Sequence, residues 1–99
     1  MIHHYSNYMS LSLCEKLKTI CHWDDKKLSY TYAEALDILL DRGYVVLITP
    51  TINPEKFKPG DAITKWDGWV NATRYASAAL NFETAAEVAI ESAISEIQK

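Results

Sequence analysis

Residues 28–49 read LSYTYAEALDILLDRGYVVLIT, and this run decides the fold: a helix that stops at a glycine and turns straight into a strand. Thr31 is placed to cap the helix, with Glu34 three residues later as a capping box requires. The hydroxyl satisfies an orphan N–H, and the carboxylate suits the positive end of the helix dipole. Tyr32, Ala33, Leu36, Leu39 and Leu40 share one face at helical spacing and leave Ile38 as an apolar residue off it. Arg42 falls in the last turn, and Gly43 follows as the left-handed residue that ends the helix. Residues 44–49, YVVLIT, are β-prone and apolar at nearly every position. That pattern predicts a strand covered on both faces or central in its sheet.

Upstream, residues 1–11 are expected to form an irregular tail, with His3 and His4 exposed. Ser12 and Glu15 form a second capping box, and Leu13, Cys14, Leu17, Ile20 and Cys21 make an apolar stripe, so residues 13–22 are read as a helix. The cysteines stand two turns apart, about 10 Å, too far to bridge each other. They lack the C-x-x-C spacing of zinc modules and read as small buried hydrophobes. Residues 23–27, WDDKK, are a polar connector.

Downstream, residues 50–60 hold three prolines and a glycine, the longest loop. Phe57 is expected to pin it to the core, and residues 58–61, KPGD, fit a type II turn. Lys56, Lys58 and Lys65 give it a small basic patch. Asp67-Gly68 then reads as a two-residue hairpin turn, setting Trp66 opposite Trp69 on one face of the sheet. Asn71-Ala72-Thr73 matches a glycosylation sequon, taken as chance without a secretory signal. Thr84 with Glu87 forms a third capping box, ahead of a helix whose apolar face is Ala86, Ala89, Ile90, Ala93, Ile94 and Ile97. Glu83, Glu87 and Glu91 line its flank with no lysine to answer them before Lys99, and Ala85, Val88, Ser92 and Ser95 form an uncharged back.

The pattern is a single α+β domain over residues 1–99, in the order α–α–β–β–β–α. Strands at about 44–49, 62–66 and 69–75 form an antiparallel meander with helices on one face. Apolar residues are 48% and charged residues 23%, which excludes disorder. A net charge of −3 argues against a general nucleic-acid binder. No run is long and apolar enough for a membrane span, and no signal peptide opens the chain, so a cytoplasmic location is expected.

Over residues 28–98, Thr31-Tyr-Ala-Glu-Ala-Leu-Asp, the glycine before a strand, and FETAAEVAIESAI at 82–94 resemble a loose group of small uncharacterised proteins of gut-bacterial phages and mobile elements. That resemblance implies no activity. The α–β–β–β–α run is also similar in topology to double-stranded-RNA-binding domains. Their last helix begins lysine-rich, where this chain has Glu83, Thr84, Ala85, Ala86 and Glu87, which repel phosphate. The strands followed by a helix of the form (Ser/Thr)-x-x-Glu-Ala resemble HicB-type antitoxins in topology as well.

Three functional classes are open. The first is a non-enzymatic interaction module, self-associating or binding another protein, with Ile38, Val88, Glu83, Glu87, Glu91, Trp66 and Trp69 as its surface. The second is a nucleic-acid accessory using Lys56, Lys58, Lys65 and the two tryptophans. The third, an enzyme, would draw on Cys14, Cys21, His22 and Asp24, but no base held by a second group is legible among them. No catalytic residue, metal or cofactor is expected, and the first class is favoured.

Overall fold

A computed structural model describes residues 2–21 and 27–99. Its elements are α1 (Ile2–Tyr5), α2 (Leu11–Lys18), α3 (Tyr32–Asp41), β1 (Val46–Pro50), β2 (Trp66–Val70), β3 (Thr73–Ala79) and α4 (Phe82–Ile97). After the four-residue α1, the order is the expected α–α–β–β–β–α, with an antiparallel sheet ordered β1-β2-β3. The buried apolar residues gather into one cluster. The predicted helix end at His22 and most of the polar connector fall in residues 22–26, outside the described residues.

The helix–glycine–strand unit forms as its local signals dictate. The Glu34 N–H donates to Thr31 Oγ1 at 3.2 Å and the Thr31 N–H to the Glu34 carboxylate at 2.9 Å, closing both halves of the capping box. At the other end Gly43 has φ +87°, and the N–H groups of Gly43 and Tyr44 donate to the carbonyls of Leu40 and Leu39. That pair of bonds is a Schellman closure. The buried face of α3 is Tyr32, Ala35, Ile38 and Leu39, rotated from the expected one. Ile38 belongs to the core at 4% exposure, whereas Ala33 and Leu40 face solvent. Most positions of α3 are apolar, so its periodicity does not single out one stripe.

The sheet corrects the expected strands. Asp67 and Gly68 lie inside β2, and the two-residue turn is Asn71-Ala72, with φ of 48° and 70°, between the paired Val70 and Thr73. Positive φ at both central positions is the type I′ geometry that hairpins favour. Gly68 serves close approach instead: a Cβ there would stand 2.5 Å from the Ala85 carbonyl oxygen and 3.1 Å from the Ala89 Cβ. β3 is bulged twice against β2. β1 is an edge strand, and it alternates. Val46 and Ile48 are buried, whereas Leu47 is 53% exposed, because the helices cover one face of the sheet only.

α4 lies across all three strands, α3 touches β1 and α4, and α2 packs against α4. α4 starts earlier than the Thr84 box implied, capped by Asn81 accepting the Thr84 N–H at 2.8 Å. α2 is likewise capped by Ser10, not Ser12, and ends at Lys18. The expected irregular tail is built into the domain. Met9 is buried, Tyr8 bridges to Thr31, and the His4 ring stacks on Phe82 at 5.1 Å. The two cysteines are buried and free, and Cys14 Sγ accepts the Tyr30 N–H at 3.3 Å.

Candidate interaction surface

Three surfaces stand out: the uncovered face of the sheet, the 51–65 connection, and the outer flank of α4. On the uncovered face, the register sets Leu47, Trp69 and Arg74 side by side on successive strands. The Arg74 guanidinium sits 5.6 Å from the centroid of the Trp69 ring, a cation–π distance, and Trp69 Nε1 donates to Thr49 Oγ1 at 2.9 Å. Trp66 is turned the other way, with its ring edge-on to Phe82 at 5.5 Å. The expected Trp66–Trp69 pair therefore does not exist. The residues stand three apart on one strand and point to opposite faces.

Asp67 anchors this face. Its carboxylate accepts the Ala78 N–H at 2.8 Å and the Thr51 hydroxyl at 2.7 Å, with Arg74 at 3.9 Å. Ala78 carries the positive φ, +54°, of the second bulge, so one buried carboxylate ties a strained residue of β3 to the end of β1. The Ala78 N–H, with help from Thr51 and Arg74, holds the Asp67 carboxyl below its ordinary value against the opposing effect of burial. Sequence reasoning spent Asp67 on a turn. With the turn at Asn71-Ala72, Arg74 falls opposite Trp69, and that was the one available signal for the pair.

The 51–65 connection is an arm. None of its residues is buried, and Phe57, expected to pin it to the core, is only half-buried and stands outside the core cluster. Two local turns shape it. Asn53 accepts the Glu55 N–H on its side chain and the Lys56 and Phe57 N–H groups on its carbonyl. Asp61 accepts the Lys58 N–H at 2.9 Å and returns its own N–H to the Lys58 carbonyl, with Gly60 at φ +94°, the predicted type II turn. Within the arm Ile52, Phe57 and Thr64 help to line a shallow groove of about 420 Å³. Lys56, Lys58 and Lys65 are all exposed.

The α4 flank is less bare than the sequence implied. Asn7 donates to Glu83 at 3.3 Å, Ser10 and the Tyr32 hydroxyl donate to Glu87 at 2.8 and 2.9 Å, and Lys16 pairs with Glu91 at 2.6 Å. Burial, then the bond to Glu87, pushes the Tyr32 hydroxyl far above its usual range. Of the expected uncharged back, Ala85 is fully buried, and Val88 remains 39% exposed. Two shallow grooves follow the outside of α4, the first floored by Thr84 and Val88 between Glu83, Glu87 and Glu91, the second reaching Tyr75 of β3. Ile38 drops out of the expected surface into the core.

Among the described residues, no three His, Cys, Asp or Glu side chains gather as a metal site would need, and no helix is long and apolar enough to cross a membrane. No protein-family model, curated protein or solved structure matches this chain.

Proposed function

We propose that this chain is a non-enzymatic protein–protein interaction module whose docking element is the 51–65 arm. One observation carries the reading: a connection of this length, held in shape by its own turns, buries no residue against the domain. Connections longer than roughly 12 residues without helix or strand are uncommon and are mostly functional or disordered. An arm pinned by Asn53 and Asp61 presents Lys56-Phe57-Lys58 with part of the ordering cost of binding already met. The uncovered sheet face, with Leu47 and the Trp69–Arg74 pair, adjoins the base of the arm and extends the surface.

A nucleic-acid reading keeps Lys56, Lys58, Lys65 and the Trp69 ring, but Trp66 is turned onto Phe82 and α4 opens with carboxylates. Replacing Phe57 by a photo-crosslinking phenylalanine analogue in cells that make the protein tests both readings. Protein adducts at position 57, absent from a control at exposed Asp37, are expected. RNA or DNA adducts would replace the module reading by the second one, and no adduct at all would sink both.

A further inference from the structure

We infer that the arm's partner is a second copy of this chain, and that each arm lies in the groove along α4 of the other; this rests on the interaction-module reading. Charge is the first argument. Residues 44–80 carry four basic and three acidic side chains, and one of those acids, Asp67, is buried and bonded within the sheet. The rest of the chain carries six basic and ten acidic side chains. The molecule is therefore split into a weakly basic sheet-and-arm half and an acidic helical half, which attract each other between copies.

The chemistry of the two surfaces matches as well. The arm offers an aromatic ring between two cations, Lys56-Phe57-Lys58. The first groove along α4 sets exposed Val88 between Glu83, Glu87 and Glu91, and the second, continuing from Val88 and Glu91, adds Tyr75, 43% exposed, beside Glu96 and Lys99. Leu80, 80% exposed, directly precedes Asn81, which lines the first groove. Each carboxylate already has a partner inside the chain, yet an ionised carboxylate accepts several bonds.

Topology then permits both arms to be satisfied at once. The arm leaves the sheet between Pro50 and Trp66, and the Trp66 ring touches Phe82, the first residue of α4. Arm base and groove mouth thus share one end of the molecule. A two-fold axis at that end sends each arm along the partner's α4, a closed and self-complementary arrangement. Area points to the arm rather than to the sheet face. Strands of five, five and seven residues present roughly 270 Å², whereas a stable pair buries about 800 Å² per partner. The sheet face cannot hold a dimer without the arm.

The test exchanges charge between the two surfaces, with mass read by light scattering at roughly 100 µM, where even a weak specific pair is populated. The wild type is expected at twice the chain mass of 11.2 kDa. K56E/K58E sets acid against acid, and E83K/T84K/E91K, which leaves Glu87 among three lysines, sets base against base. Lys56, Lys58, Thr84 and Glu91 are exposed and Glu83 is half-buried, so each variant should keep the wild-type circular dichroism and fall to the single-chain mass. Mixed in equal amounts, they should regain the doubled mass, because the mixed pair restores attraction at both contacts. A monomeric wild type overturns the self-pairing while leaving the module reading intact if the Phe57 crosslinker still captures another protein. A dimeric wild type whose variants remain dimeric alone, or stay monomeric when mixed, overturns the arm-in-groove contact.

Discussion

At the scale of single residues, Gly43 and Gly68 are glycines for different reasons, and substitution separates them. Gly43 sits at φ +87° with open space where a Cβ would go, so only the backbone resists a side chain. Ala there should cost about 1–2 kcal/mol, Val more, and Asn least, since Asn tolerates the left-handed region. Gly68 has no positive φ but stands under α4, where a Cβ meets the Ala85 carbonyl. Ala should cost roughly 1–3 kcal/mol by overpacking, and Asn should cost more than Ala because it is larger. Urea midpoints showing the same order of Asn and Ala at both sites would contradict this account. The difference was only half legible in the sequence. Gly43 follows a capped helix and declares itself locally. The role of Gly68 depends on a helix that passes over it from 17 residues downstream at Ala85, which no local pattern reports. Asp67 makes a second residue-scale prediction. Its carboxyl is held below the ordinary 3.8, so its stabilisation is complete above that value and is lost as pH falls through the folded-state value. Asp67→Asn should be less stable at neutral pH, and its stability should fall less than that of the wild type from about pH 5 downward. Parallel acid limbs for the two proteins would rule out this role for Asp67.

Among the elements, helices were more legible than strands, because caps and glycines act over four residues whereas register depends on what covers the sheet. The capping box at Thr31 and the closure at Gly43 formed as their spacing dictates. The inner face of α4 was also found, since alanines and isoleucines recur there at helical spacing and Glu83, Glu87 and Glu91 mark its flank. The hairpin was misplaced because Asp-Gly is a stronger turn signal than Asn-Ala, and packing under α4 outweighed it. The consequence for the tryptophans is measurable. Trp66 lies on the helix side, with its ring against Phe82, whereas Trp69 lies on the open side under Arg74. Both are half-buried, but only one supports the core. Trp66→Ala should cost roughly 2–3 kcal/mol, below the 3–5 of a fully buried tryptophan. Trp69→Ala should cost about 1 kcal/mol, the loss of a cation–π contact and one hydrogen bond. Equal losses in urea denaturation would show that the two rings share a role.

For the molecule as a whole, the arm stands apart from the rest of the fold, since none of its residues is buried. The chain measures 46 × 26 × 19 Å, with a radius of gyration of 14.0 Å. A compact chain of this length has a radius near 12.6 Å, from the usual scaling of roughly 2.2·N^0.38. The excess fits an arm that stands off the domain. If the arm contributes nothing to the core, replacing residues 53–63 by two glycines should leave the fold standing. The deletion spares the two places where the arm joins the sheet. These are the Thr51 hydroxyl on Asp67 and the Thr51 N–H donating to the Lys65 carbonyl at 2.9 Å. Shortening a flexible loop changes closure entropy by only about 0.6 kcal/mol per halving. The arm's own turns are lost, but no residue of 51–65 belongs to the core cluster or is among the partly buried hydrophobic residues packed against it. The shortened chain should therefore keep its helical circular dichroism and unfold within about 1 kcal/mol of the wild type. Its radius of gyration by X-ray scattering in dilute solution should fall toward that of a compact domain. A chain that unfolds on losing the arm would make those residues part of the fold, and the argument that they are kept for a partner would fail with it.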